Sequence, residues 1–166
     1  ESFAIHFGGV GAPGYLTGEN ALITYLMGVR HSHLDDPGYS TDQKLLGHDI
    51  PLEDQVRSAV RDAQWRMVTN SLVTCLFARA IYDEKIVLEG LGALGLAWDA
   101  EKLGRLGEEA LRRKYAYKIA CGADPRRGAI PEKLFTVATA TGPVDRERMA
   151  KRMVLYAQLV GLPEEA

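Results

Sequence analysis

Apolar side chains recur at three- and four-residue spacing over long stretches, and this helical period constrains the fold more than any other feature of the chain. In residues 52–75 the apolar face comprises Leu52, Val56, Ala59, Ala63 and Met67. A second stripe, near the C-terminus, comprises Met149, Met153, Tyr156, Ala157 and Val160. Because an amphipathic helix must bury its apolar face against a neighbour, the stripes predict a mainly α fold.

Capping residues and helix breakers predict where the longest helices begin and end. The residues suited to begin them are Asp49 with Pro51, Asp99 and Asp145. The first of these helices should run through the segment Leu52–Cys75. Gly161 and Pro163 should end the last one.

Shorter helices and a glycine-rich opening complete the predicted organisation. The helices are expected at Ala21–Val29, stopping before Pro37-Gly38, and at Glu84–Leu94. Residues 1–18 read as an opening loop, with at most a short strand at Phe3–Phe7. We therefore predict one helical domain over residues 1–166.

Charge and hydropathy argue against several function classes. The net charge is −2, with acidic and basic residues mixed along the chain, whereas a nucleic-acid partner normally needs a basic patch. The chain contains no apolar run of about 20 residues that would predict a membrane span. Two cysteines, Cys75 and Cys121, make no disulfide framework, so a cytoplasmic location is expected.

A polar cluster follows the first predicted helix. His31 and His33 are followed by Asp35 and Asp36, and imidazoles with carboxylates can bind a metal or move protons. The simpler interpretation is a polar loop after a helix, so both remain open.

The His48-Asp49 pair raises an alternative function, an HD-type metal-dependent phosphohydrolase. His33 would be the upstream ligand, and Asp62 or Asp83 the downstream one. Two features argue against it: Pro37 and Gly38 interrupt the chain between the ligands, and Asp49 is suited to cap a helix.

Cys75 is the cysteine that could carry chemistry. A lone cysteine late in an apolar helix is usually a small core residue. A single thiolate can also complete an iron–sulfur cluster whose other ligands lie elsewhere. Cys121 has no His or Cys at ligand spacing and is expected to be structural.

Taken in order, several segments resemble the C-terminal domain of the aldehyde:ferredoxin oxidoreductase family. The segment Asn70–Phe77 is similar to the family's D-x-x-G-L-C-x-F motif, and Asn20–His33 to a helix that ends in an Arg-Gly…His element. Further similar segments are Phe3–Gly9, Pro13–Tyr15, Leu94–Asp99, Leu106–Leu111, Ile130–Leu134 and Asp145–Leu162.

The chain also departs from the family's pattern. Asn70 stands where the motif has an Asp that helps bind the pterin, and Val73-Thr74 replaces its Gly-Leu. His31 follows Arg30 where the pattern has Gly, and Leu16–Gly18 replaces an expected Arg. These changes suggest a divergent branch whose substrate need not be a simple aldehyde.

The resemblance implies that this chain is the C-terminal domain of a larger enzyme. By itself the chain would be inactive. A tungsten or molybdenum bispterin would oxidise an aldehyde-like substrate, and a [4Fe–4S] cluster would pass the electrons to ferredoxin. Cys75 would be a cluster ligand, Asn70 and Thr74 would contact the pterin, and His33 or His31 would be the active-site histidine. The upstream domains would be partners, and a homodimer remains open.

Two other classes remain as alternatives to this reading. One is the HD-type phosphohydrolase, and the other is a noncatalytic helical module that only binds a partner.

Overall fold

A computed structural model of the protein describes residues 4–34 and 38–162, and it is mainly helical, as predicted. Its α-helices are α1 Glu19–Met27, α2 Gly38–Leu45, α3 Leu52–Ser71, α4 Glu84–Ala93, α5 Ala100–Ala120 and α6 Arg146–Leu159. Single-turn 3-10 helices occupy Leu76–Ala78, Pro125–Arg127 and Glu132–Phe135. Strands β1 His6–Phe7 and β2 Val10–Gly11 form an antiparallel hairpin. Phe3, Asp35, Asp36, Pro37 and Pro163, named in the predictions, lie outside the described residues.

Helix α1 is the centre of the molecule, and each of its residues is buried. Its apolar side chains pack with those of α2, α3 and α6, while α5 lies along α3. A smaller cluster of Val68, Val87 and Leu103 seats α4 against the end of α3. No helix within the described ranges is long and apolar enough to cross a bilayer.

The predicted stripes and two of the predicted caps are confirmed. Val56, Ala59, Ala63 and Met67 are buried on α3, as are Met149 and Tyr156 on α6. Asp99 accepts a hydrogen bond from the backbone N–H of Lys102 at 2.8 Å. Asp145 accepts one from Arg148, also at 2.8 Å.

Two predictions for residues 38–51 are wrong. Asp49 does not cap α3, because Pro51 takes the capping position and no side chain bonds there. Helix α2 was not predicted, and it begins at Gly38, where the sequence suggested an interruption. Gly38 is needed there because a Cβ would collide with the backbone oxygen of Asn20, where α2 meets α1.

A buried polar network satisfies the N-terminus of α1, whose free N–H groups have no access to water. Asp42 of α2 accepts from the backbone N–H of Asn20 at 3.0 Å and of Ala21 at 2.8 Å. Arg152 of α6 donates to Glu19, Asn20 and Gln55 at 3.0, 3.0 and 2.6 Å. These bonds fix α1 relative to α2, α3 and α6.

Four helices end in the same hydrogen-bonded turn, the Schellman motif, which needs one residue in the left-handed region. Its long bond joins Thr74 to Thr69, Leu96 to Leu91, Ala123 to Lys118 and Leu162 to Ala157. The left-handed residue is Gly95 for α4, Gly122 for α5 and Gly161 for α6. For α3 it is Val73, at φ +56°.

Candidate functional site

The loop that follows α1, residues 28–34, carries both predicted active-site histidines and is here called the His31 loop. His31 itself lies in the left-handed region at φ +52°. Its Nδ1 lies 2.7 Å from the backbone oxygen of Tyr25, and its Nε2 lies 2.9 Å from Nζ of Lys118. Lys118 also donates to the backbone oxygen of Gly28 at 2.8 Å. The loop is therefore bonded both to α1 and to α5.

These contacts determine the protonation state of His31. A carbonyl oxygen can only accept a hydrogen bond and a lysine ammonium can only donate, so Nδ1 carries the proton and Nε2 accepts. Burial lowers the pKa of His31 below its ordinary value, and the charge of Lys118 lowers it further, although the bond to Tyr25 acts in the opposite direction. The ring is therefore held in its neutral form.

The hairpin also closes on His31. Gly8 and Gly9 form its turn with φ values of +55° and +81°, the combination of a type I′ turn. A Cβ at Gly8 would lie 2.8 Å from Nε2 of His31. Glycine at position 8 thus has two roles. It allows the hairpin to adopt the turn conformation, and it allows the turn to lie close to the His31 ring.

His33 lies in a different environment, among tyrosines. Its ring centroid is 4.7 Å from that of Tyr15 and 6.1 Å from that of Tyr39, and the two tyrosine rings are 5.1 Å apart. We call these three side chains the aromatic cluster. The buried Nδ1 of His33 has no hydrogen-bond partner among the described residues. One ring nitrogen is thus held in place without a protein bond.

Tyr25 supports the aromatic cluster from α1. Its hydroxyl donates to the backbone oxygen of Tyr15 at 3.3 Å. Burial raises the pKa of Tyr25, and the nearby Tyr39, Asp42 and Tyr15 raise it further. It therefore remains a neutral donor that positions Tyr15.

The segment from Asn70 to Arg79, here called the Cys75 turn, follows α3. The predicted helix was to continue to Cys75 but ends at Ser71, because Val73 takes the left-handed position of the helix-ending turn. Thr74 donates to the backbone oxygen of Thr69 through both its N–H, at 3.1 Å, and its hydroxyl, at 2.9 Å. Cys75 comes next and immediately precedes the 3-10 helix.

Cys75 is exposed, so its interpretation as a core residue is wrong. Its neighbours form an apolar surface, since Val73 is 91% exposed and Phe77 88%. A large exposed apolar patch usually marks an interaction surface. Val73 and Phe77 thus give the Cys75 turn an exposed apolar surface.

A polar cavity of about 250 Å³ lies between α2 and the Cys75 turn. Ser40 and Lys44 line it from α2, Thr69 from α3 and Arg79 from the Cys75 turn. Ser40 directly follows Tyr39 of the aromatic cluster. Helix α2 therefore contributes residues both to the aromatic cluster and to this cavity.

The ligands proposed for an HD-type metal centre do not assemble. His48 and Asp49 are exposed in the connection between α2 and α3. Among residues 4–34 and 38–162, no group of three or more His, Cys, Asp or Glu side chains could hold a metal ion. The phosphohydrolase alternative therefore has no site in this part of the chain.

Cys121, expected to be structural, is exposed at the end of α5. It lines an apolar groove of about 510 Å³ with Val29, Tyr117 and the side chains of Arg30 and Lys118. Its thiol therefore contributes little to the core.

Three residues that shape the candidate site were not identified from the sequence. Lys118, Tyr39 and Asp42 each act on a residue far along the chain, and their local sequence gives no signal of this. Lys118 looks like an ordinary cation in the last turn of a helix. The non-glycine residues at φ > 0 also have no local signature.

Comparison with known proteins gives one match. The family model described as aldehyde ferredoxin oxidoreductase, domains 2 & 3, matches residues 1–162. No curated protein and no solved structure matches the chain.

Proposed function

The chain belongs to the aldehyde ferredoxin oxidoreductase family, and from this premise we propose that it supplies a cluster-ligating cysteine and an active-site histidine to a larger oxidoreductase. The observation that carries the proposal is the Cys75 turn. It presents an exposed thiol from a rigid, hydrogen-bonded end of α3, within an exposed apolar surface. A thiol presented in this way is suited to ligate a group held jointly with another domain.

The residues present fit a shared [4Fe–4S] cluster. A cluster takes four thiolates, and no group of three or more candidate ligands exists among the described residues. This chain would therefore contribute Cys75, and the upstream domains would contribute the other ligands. Val73 and Phe77 would pack against those domains, and Phe77 would keep water from the cluster, which influences its potential.

Asn70 and Thr74 are proposed to contact the pterin from the same turn. Asn70 is exposed, and its amide can both donate and accept hydrogen bonds. The hydroxyl of Thr74 donates to Thr69, which leaves its oxygen able to accept. An Asp at position 70 would only accept, so Asn70 changes the donor pattern that this contact offers.

Backbone geometry supports the residue-by-residue alignment with the family's motifs. His31 and Val73 are the non-glycine residues at φ > 0 in the described part of the chain. Both stand where the family's pattern has Gly, the residue that adopts this conformation most easily. A left-handed backbone at both positions is what a glycine in the family's pattern would readily adopt, and this supports the alignment.

This alignment favours His33 over His31 as the active-site histidine. Both ring nitrogens of His31 are engaged, by Tyr25 and by Lys118. His33 retains a buried nitrogen with no partner in the described residues. We propose that the half-buried ring of His33 takes up or delivers the proton of the reaction through its accessible side, or orients the substrate.

When bound, a tungsten or molybdenum bispterin and the cluster supply the two-electron oxidation and the single-electron transfer to ferredoxin. Oxidation of an aldehyde to an acid consumes one water and releases two electrons and two protons. In this proposal His33 would receive one of these protons. Tyr15 and Tyr39 would hold its ring and limit the access of bulk water.

Cys75→Ser, with Cys121→Ser as the matched control, tests the proposal in the purified enzyme. Cys75→Ser should lose the cluster and the reduction of ferredoxin, because Ser is a poor iron ligand. Cys121→Ser should keep both, since this thiol lies in the α5 groove. Iron content and EPR of the reduced proteins measure the result. A full, reducible cluster in Cys75→Ser would refute the proposed function.

A further inference from the structure

Lys118 joins α5 to the His31 loop across a sequence separation of 87 residues. Its Nζ donates to the backbone oxygen of Gly28 at 2.8 Å and to Nε2 of His31 at 2.9 Å. The lysine comes from the last turn of α5, which packs along α3. A single ammonium therefore anchors both the start and the middle of the loop to the helical core.

The backbone of the loop makes this anchor necessary. His31 at φ +52° is in the left-handed region, which is sterically unfavourable for a residue with a side chain. The bonds from the His31 ring to Tyr25 and Lys118 offset that cost. Without these two bonds the backbone of His31 would relax out of the left-handed region, and His33 would move with it.

We propose that Lys118 is a positioning residue: by holding the neutral ring of His31 it fixes the turn that places His33 against Tyr15 and Tyr39. The proposal rests on the proposed function only in treating His33 as the active-site histidine. Acid should release the anchor, because a proton on Nε2 of His31 would face the ammonium instead of accepting from it.

The groups that face His31 decide how its ring responds to acid. Lys118 faces the ring from α5, the backbone oxygen of Tyr25 faces it from α1, and Gly8 of the hairpin closes on Nε2. Arg30, the preceding residue, lines the same groove as Lys118. Burial and the charge of Lys118 favour the neutral ring, whereas the bond to Tyr25 favours the protonated one, and the net effect is a lowered pKa of His31.

Lys118→Met, Lys118→Arg and Lys114→Met test the proposal in the full protein, by NMR of labelled histidine side chains. Lys118→Met removes the ammonium but keeps most of the side chain's length. The pKa of His31 should rise, and the ring signals of His33 should shift as it leaves the aromatic cluster. Lys118→Arg should move the pKa of His31 and the His33 signals part of the way back to the wild type, because arginine can still donate a hydrogen bond to the His31 ring. Lys114→Met, one turn earlier on α5, should leave them as in the wild type.

Turnover provides the catalytic readout. In Lys118→Met, kcat should fall about tenfold or more with little change in KM, since misplacing a reacting group by about 1 Å can cost that much. His33 signals that stay unchanged in Lys118→Met would overturn the proposal, as would a shift of those signals with unchanged kcat.

Titration of the wild type keeps the proposal testable even if the variants fold poorly. The His33 ring signals should shift over the pH range in which His31 gains its proton, and His33 signals that do not change over that range would overturn the proposal. These readouts do not depend on the cluster. If the Cys75→Ser test refuted the proposed function, the NMR measurements would still test the role of Lys118.

Discussion

The His31 loop and the Cys75 turn each hold a non-glycine residue in the left-handed region, but they stabilise it differently. His31 is half-buried, and its ring is bonded to Tyr25 and Lys118. Val73 is 91% exposed, and its conformation is imposed by the hydrogen bonds that end α3. Tertiary contacts thus maintain the first conformation and local backbone bonds the second. Changes in the core should therefore affect the His31 loop more than the Cys75 turn.

Removing a cap on each side of the molecule should give the largest difference. Asp42→Ala leaves two buried N–H groups of α1 without their acceptor, so the free energy of unfolding should fall by about 2–4 kcal/mol. Asp83→Ala, the matched control, removes an exposed cap of α4 after the Cys75 turn and should cost about 0.5–2 kcal/mol. Denaturant unfolding measures the free energy of unfolding of both variants, provided that their m-values equal that of the wild type. Equal losses would contradict the contrast between the two regions.

Glycine at the two left-handed positions should have effects of opposite sign. In this chain without the upstream domains, where Val73 is exposed, Val73→Gly removes the steric cost but loosens the unfolded chain, so stability should rise by about 0.5–1 kcal/mol. His31→Gly relieves similar strain but loses two hydrogen bonds, with a net loss of about 1 kcal/mol. Val73→Ala, which retains the left-handed cost, is the control and should not stabilise. A loss of stability in Val73→Gly would mean that the valine side chain is covered.

The dependence of stability on pH should show the smallest effect. Because the folded pKa of His31 is lowered, the unfolded state binds more protons between the two pKa values. The stability of the wild type should therefore fall as the pH drops below about 6.5, the ordinary pKa of histidine, until the lower folded pKa is passed. His31→Gly should lack this component. Thermal melts across this range compare the two proteins, and parallel curves would show that His31 does not contribute.

Sequence reasoning succeeded where the determining interactions are short in range. The stripes of α3 and α6 and the caps Asp99 and Asp145 depend on residues within about one helical turn of each other. It failed at the end of α3, because a valine gives no signal of the left-handed conformation that glycine marks at Gly95, Gly122 and Gly161. Cys75 was therefore placed in the helix, although it lies in the turn beyond it.

The sequence by itself determined that this protein is helical, where its long helices lie and which family it belongs to, because period, caps and motif order are properties of neighbouring residues. Only the tertiary structure decided that Asp42 caps α1, that Lys118 bonds to His31 and that His33 lies against Tyr15 and Tyr39. Asp42 and Asn20, Lys118 and His31, and Tyr15 and His33 lie 18 or more positions apart, and His33 and Tyr39 lie on different elements. The bonds of Asp42 and Lys118 form because buried polar groups at the two ends of α1 need a partner. Packing brings together residues whose local sequences carry no sign of the pairing.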